Sequence, residues 1–264
     1  MAVLDRVLRV LDALGLFIVT RFPFIELFIL LMSTGEEAEN LPGARTLTFK
    51  DTLRREYLLV YINALIFFVC GTGMTLDLKR RKCGLAAALH VVIYTGVTLY
   101  QLKKSSEYLI VRMAARSAAV CGGYLFVAAG LTDSQRGQAK VFQALQVSRQ
   151  ILAFYLFCSA YMVWASEEDR LAHIKNIPGG QFMIVIVIAL YVIPALCIYA
   201  GYEAGYFARI VVWHLVVVSA LVDFNTKYWR RSSSHVAFWV QIQHAARNLA
   251  VIGSLLLLGR KRYW

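Results

Sequence analysis

Long apolar runs alternate with short polar blocks along the whole chain. Residues 2–12 (AVLDRVLRVLD) set Val3, Leu4, Val7, Leu8 and Leu11 at helical spacing, with Asp5, Arg6, Arg9 and Asp12 opposite. That spacing predicts an amphipathic lead-in lying at a membrane interface. The apolar pattern then runs on to about Met32 with no small-residue cleavage site, which argues against a signal peptide. Helix 1 is predicted at about 13–34. Further helices are predicted near 57–76, 83–102, 110–131, 142–165, 181–201, 206–226 and 237–259. A hydrocarbon layer about 30 Å thick takes about 20 apolar residues per helix. The pattern therefore predicts an all-α polytopic membrane protein with eight transmembrane helices.

The second half of the chain echoes the first. Residues 114–125 read AARSAAVCGGYL and residues 245–256 read AARNLAVIGSLL, with seven of twelve positions identical at an offset of 131. The same offset superposes Glu36-Glu37 on Glu167-Glu168 and Asn63 on Pro194. The expected organisation is a lead-in over 1–12, a four-helix repeat over 13–131 and a second over 132–264. An even number of helices per repeat makes the two repeats parallel, and the junction between them is the natural place for a cavity.

Composition narrows the picture. Of 264 residues, 59% are hydrophobic and 17% charged, against about 25% charged in an average soluble domain. Eight spans take about 160 residues and leave about 100 for loops and tails, too few for a soluble catalytic domain as well. The net charge of +12 sits in blocks at the ends of apolar runs. That placement serves orientation and attraction to anionic headgroups, so the expected partner is the lipid bilayer and not nucleic acid. Lys and Arg divide almost evenly between the two sides. The dense block Lys79-Arg80-Arg81-Lys82 on a short loop, and the acidic residues Glu36, Glu37, Glu39, Glu167, Glu168 and Asp169 opposite, favour cytoplasmic termini. The five cysteines form no CxxC pair, which argues against a disulfide framework or a zinc site.

Charged residues within apolar runs need a reason, because a charge at mid-bilayer is costly. Arg21 and Glu26 lie inside helix 1, about 140° apart around it, with Pro23 between them removing a backbone hydrogen bond. Either they line a pathway, or Arg21 snorkels and Glu26 pairs with an arginine of another helix. Arg116 and Arg247 are the repeat-equivalent arginines, read either as interfacial snorkels or as a pair gripping a headgroup or carboxylate. The small residues after them, Ala119, Gly122 and Gly123, then Ala250 and Gly253, read as helix-packing positions. Asp223 and Asn225 end helix 7, where they cap, pair with Arg209 or Arg231, or line a mouth. His90 and His214 carry no metal-ligand spacing. Cys83, directly after the basic block, is a candidate for palmitoylation. Arg260, Lys261 and Arg262 form a dibasic tail of the kind that retrieves proteins to the endoplasmic reticulum, or a positive flank. The chain has no phosphate loop, GxSxG or HExxH, so no catalytic residue, metal ligand or cofactor is expected and the protein is not read as an enzyme.

The stretches Thr20-Arg21-x-Pro23-Phe24, Val111-Arg112-Met113, Gly122-Gly123, Glu168-Asp169-Arg170-Leu171-Ala172, Pro178-Gly179-Gly180, Asp223-x-Asn225-x-x-Tyr228-Trp229 and Phe238-Trp239 resemble the transmembrane protein 101 family. They run in order over most of the chain. The resemblance implies an eight-helix endomembrane protein associated with activation of NF-kappa-B signalling, and carries no catalytic residues. A narrower likeness, through Val251-Ile252-Gly253-x-Leu255-Leu256-Leu257, Asn225 ahead of Trp229 and the basic tail ending in Trp264, is to the surfeit locus protein 4 cargo receptors. It implies cycling between endoplasmic reticulum and Golgi with secretory cargo. Three readings follow: a scaffold or modulator with signalling partners, a cargo receptor with secretory-pathway partners, and a carrier or lipid-handling protein with a site between the repeats. The discriminating observation is whether Arg21, Glu26, Arg116, Arg247 and Asp223 meet around one enclosed space or disperse.

Overall fold

The computed structural model describes residues 2–39, 55–101, 107–130, 139–225 and 238–259. The described residues form α1 (Ala2–Glu39), α2 (Arg55–Thr75), α3 (Arg80–Gln101), α4 (Glu107–Ala128), α5 (Ala139–Ala165), α6 (Glu167–Asn176), α7 (Gly180–Ala200), α8 (Ala204–Val218) and α9 (Phe238–Leu258). A π-helical turn, Ser219–Asp223, continues α8. Eight of these elements fall on the eight apolar runs. Six are long and apolar enough to cross a membrane: α1, α2, α3, α4, α7 and α8 with its π turn. The protein is thus a helical membrane protein.

Three local features depart from the expected pattern. The lead-in over 1–12 and helix 1 form one continuous helix, because nothing near Asp12 breaks it, and the helix runs on through Pro23. The ten-residue α6 lies outside the apolar runs and starts on its own capping signal. Ser166 is extended at φ −87°, ψ 120° and accepts the backbone N–H of Asp169 at 3.4 Å. Glu167, Glu168 and Asp169 fill the first turn and His173 and Lys175 the last, each favourable to the helix dipole. Finally, the π turn closes through the Phe224 N–H donating to the Ser219 carbonyl at 2.9 Å.

α7 stops at Gly201, whose φ of +80° suits glycine. There the Gly201 N–H donates to the Ile198 carbonyl and the Tyr202 N–H to the Cys197 carbonyl, a Schellman stop.

In the first half of the chain α1 packs on α2, α2 on α3, and α3 on α4. In the second half α5 packs on α7, α7 on α8, and α8 on α9. The halves join where α1 meets α9, α4 meets α5, and α4 meets α9. Small residues let these backbones close. A Cβ added at Gly15 of α1 would lie 2.8 Å from Leu256 Cβ, and one at Gly253 of α9 would lie 2.8 Å from Ile18. Gly122 takes the side chain of Ile151 of α5 in the same way, at 3.2 Å. α9 is therefore the central strut, with every residue from Ala250 to Leu258 buried.

Candidate functional site

Charged side chains gather at the end of the bundle opposite Ala2 and Leu258. Arg112 and Arg116 stand one turn apart on α4 and so share a face. Both donate to Asp223 Oδ1 at the end of the π turn, Arg116 through Nη2 at 3.0 Å. Asp223 is 1% exposed. Its Oδ2 accepts Asn248 Nδ2 of α9, and its backbone carbonyl accepts Gln241 Nε2 at 2.7 Å. Asn248 also donates to Ser219 Oγ at 3.1 Å and accepts the Tyr155 hydroxyl of α5 at 3.2 Å. The π turn sets Ser219 and Asp223 on the same inner face, the kind of local irregularity often found at functional sites.

A second ion pair lies deeper. Arg247 Nε donates to Glu26 Oε1 at 2.9 Å, and Gln243 Nε2 donates to Glu26 Oε2 at 3.2 Å. Arg247 Nη1 reaches Ser117 Oγ on α4 at 2.8 Å. Arg247 and Asn248 are neighbours on α9, as Arg116 and Ser117 are on α4. The two pairs therefore meet along one α4–α9 seam.

α6 closes the outer end. Asp169 and His173, also one turn apart, are buried and face inward. Asp169 Oδ1 stands 4.0 Å from Arg112 Nη1. His173 Nδ1 lies 2.7 Å from the Asp169 carbonyl, which can only accept, so Nδ1 carries the proton. The Asn225 amide donates to Asn176 Oδ1 at 2.8 Å and ties the end of α8 to α6. Glu168, on the same outer helix, has its carboxyl pushed up, first by burial and then by Asp169, against the opposing pull of Arg112.

These elements line a partly open cavity of about 40 Å³, walled by Arg112, Arg116, Tyr155, Ser159, Asp169, His173, Tyr191 and Asp223 among others. A water needs about 10–15 Å³ of such space, so the cavity has room for about three. Arg116 Nη1 and His173 Nε2 are buried without a hydrogen-bond partner. Three arginines (Arg112, Arg116, Arg247) balance three carboxylates (Asp169, Asp223, Glu26) across the seam.

Of the residues singled out from sequence, Arg116 and Asp223 line the cavity, whereas Glu26 and Arg247 pair along the α4–α9 seam without lining it, and Asn225 joins α8 to α6. Arg21 does not join them. It is exposed on the outer face of α1, with its guanidinium 4.0 Å from the centre of the Phe17 ring. Arg116 and Arg247 are 7% and 2% exposed and therefore do not snorkel. Cys83 is half-buried, with its thiol 3.5 Å from the Leu78 carbonyl. His90 donates through Nε2 to Asn63 Oδ1 at 2.8 Å, tying α3 to α2. His214 packs edge-on to Tyr191. The tail Arg260, Lys261 and Arg262 lies outside the described residues, as do Tyr228 and Trp229.

Sequence reasoning did not assign Arg112, Asp169, His173, Tyr155, Gln241 or Asn248 to the site. The i,i+4 pairs Arg112/Arg116 and Asp169/His173 are the signals that point to three of them, Arg112, Asp169 and His173. Among the described residues no group of three His, Cys, Asp or Glu side chains is placed to hold a metal ion.

Long apolar helices enclosing charged side chains in balanced pairs around a small polar cavity define a polytopic α-helical membrane protein with an internal polar site. The chain belongs to the TMEM101 protein family, which matches residues 4–261. No solved structure matches it.

Proposed function

We propose that this protein is a carrier or gated binding protein for a small polar solute, with no chemical step of its own. The observation that carries this reading is the pair of orphaned groups in the cavity, Arg116 Nη1 and His173 Nε2. A network that serves packing alone fills its donors and acceptors, because a buried polar group left unmade costs about 1–3 kcal/mol. Among the residues that line the cavity, these are the two buried side-chain atoms left without a partner. The size of the cavity speaks for a small solute over a lipid or a folded cargo, since drug-sized ligands occupy about 300–1,000 Å³.

On this reading the protein crosses the membrane eight times, with α5 and α9 added to the six apolar spans. Two parallel four-helix repeats are supported by the packing pattern. Replacing α1, α2, α3 and α4 by α5, α7, α8 and α9 turns each principal contact within one half into one within the other. It also exchanges the α1–α9 joint with the α4–α5 joint. The repeat-equivalent arginines each bond a carboxylate of the opposite half, Arg116 to Asp223 and Arg247 to Glu26. With both termini cytoplasmic in an endoplasmic-reticulum or Golgi membrane, the cavity opens toward the lumen.

The test is thiol accessibility. Ser159→Cys places a thiol on the cavity wall, and none of the five native cysteines lines it. In sealed vesicles Ser159→Cys is expected to react with a small methanethiosulfonate well above the wild-type background. Leu152→Cys, fully buried in the core of the same helix, is the unreactive control. If Ser159→Cys in the folded protein proves as inert as Leu152→Cys, the cavity is not a solute site.

A further inference from the structure

We infer that the solute is a small monovalent carboxylate that enters the cavity together with a proton, which His173 receives. This rests on the carrier reading and adds the ligand class. The wall has two free polar atoms of different kinds. Arg116 Nη1 can only donate, and a carboxylate oxygen is its natural partner because charge-assisted N–H···O⁻ bonds are the strong ones. His173 Nε2 is a lone pair, since Nδ1–H is already given to the Asp169 carbonyl. Arg116 and His173 are 7% and 6% exposed, so both groups are buried in the cavity wall.

Charge balance then fixes what can enter. Arg112, Arg116, Asp169 and Asp223 sum to zero around the cavity. A bare anion added there is an unpaired buried charge, which proteins avoid. A carboxylic acid brings its own compensation. Its proton moves to His173 Nε2, giving imidazolium, and its carboxylate stays on Arg116 Nη1, so the added charge is zero and no atom is left over. Every element around His173 presents a titratable or charged group that bears on this step. Those groups are Arg112 and Arg116 on α4, Tyr155 on α5, Glu168 and Asp169 on α6, Tyr191 on α7, His214 on α8, Asp223 on the π turn and His244 on α9. Asp169 and Asp223 are the negative groups around the cavity and Arg112 and Arg116 the positive ones, so the entering carboxylate supplies the charge that pairs with the imidazolium. Loading of acid and proton is thereby coupled. Space for about three waters suits an acid of two or three carbons.

The experiment uses the full chain with Ser159→Cys in lipid nanodiscs, with acetate as the probe. At each pH the labelling rate with acetate is divided by the rate without it. Acetate is expected to protect the thiol, and its half-protecting concentration is expected to rise about tenfold per pH unit wherever its binding takes up one proton. Arg116→Lys is expected to raise that concentration at least tenfold, and His173→Gln to abolish its pH dependence. Glycine, a zwitterion, and acetamide, the uncharged isostere, are expected not to protect. If the thiol labels but acetate fails to protect at any pH, or glycine or acetamide protects as well, the ligand class is wrong while the cavity stands. Protection by acetate that ignores pH overturns the proton step. A thiol that never labels removes the carrier reading and this inference with it.

Discussion

Replacing Glu26 by Gln leaves the Arg247 guanidinium buried in α9 without a carboxylate against it. The side chains of Arg247 and Glu26 are 2% and 5% exposed, and Nε and Oε1 stand 2.9 Å apart. With charge centres about 4 Å apart, the attraction is about 4 kcal/mol at an effective dielectric of about 20. Solvent does not screen it at this depth. Breaking such a pair by removing one partner costs about 3–5 kcal/mol, which is about 150- to 5,000-fold in the folded-to-unfolded ratio. Removing both charges together, as Glu26→Gln with Arg247→Met, forfeits the bond to Ser117 but leaves no buried charge alone. The double variant is therefore expected to be less destabilised than the sum of the two singles by at least about 2 kcal/mol.

Equilibrium unfolding in mixed micelles, followed through the five tryptophans, measures all four corners of the cycle. Single variants that lose less than about 1 kcal/mol, or a double that equals their sum within about 0.5 kcal/mol, would refute the assignment of this pair as a joint between the two halves.

Other substitutions probe the packing and the outer helix. Gly15→Ala pushes a methyl to 2.9 Å from the Gly253 carbonyl, which cannot swing aside, and is expected to cost about 1–3 kcal/mol. Gly35→Ala in the same helix meets nothing within 4 Å and should be neutral or stabilising in the same unfolding assay. Arg21→Leu removes a charge that faces outward and is expected to leave stability intact, so a loss above about 1 kcal/mol would show that Arg21 has a partner inside the fold. Glu168→Gln is expected to raise the melting temperature at neutral pH. The folded carboxyl is pushed up by burial, so the wild-type fold binds a proton more tightly than the unfolded chain does. It loses stability as pH rises from the ordinary glutamate range through the folded value. The gain from Gln should disappear at acid pH, where the carboxyl is protonated in both states. A gain that persists there would point to a cause other than charge.

The long helices were legible because each apolar run exceeds the usual length of a strand. α6 was not, since a short helix with seven polar residues in ten gives no membrane signal. Its start, Ser166 three residues before Asp169, is nevertheless a recognisable cap. The π turn has no mark in the sequence. Within the site, Glu26, Arg116, Arg247 and Asp223 stood out through the cost of a charge within an apolar run. The pattern allowed Glu26 an arginine of another helix, but not which one, and it did not join Arg116 to Asp223, because the partners lie 107 residues apart for Arg116 and Asp223 and 221 apart for Arg247 and Glu26. Arg21 stood out by the same rule, yet it faces outward. Placed about 140° from Glu26 around one helix, it could not share the inward face once Glu26 took it.

Hydropathy reports contact with lipid, and burial against other helices is a separate quantity. α7 is the most apolar of the six spans, yet only 33% of its span is buried in the protein, whereas α4, the least apolar, has 72% buried. α9 falls outside the six although it is almost wholly enclosed from Gln241 to Leu258. A helix surrounded by protein needs no apolar face. It can carry Gln241, His244, Arg247 and Asn248 provided that its neighbours answer most of their hydrogen-bonding groups. The search for function in a chain of this kind therefore belongs in the segments where the apolar signal is poorest. Here those segments are α4, α5 and α9, and the first two line the cavity while the third braces Asp223 from behind.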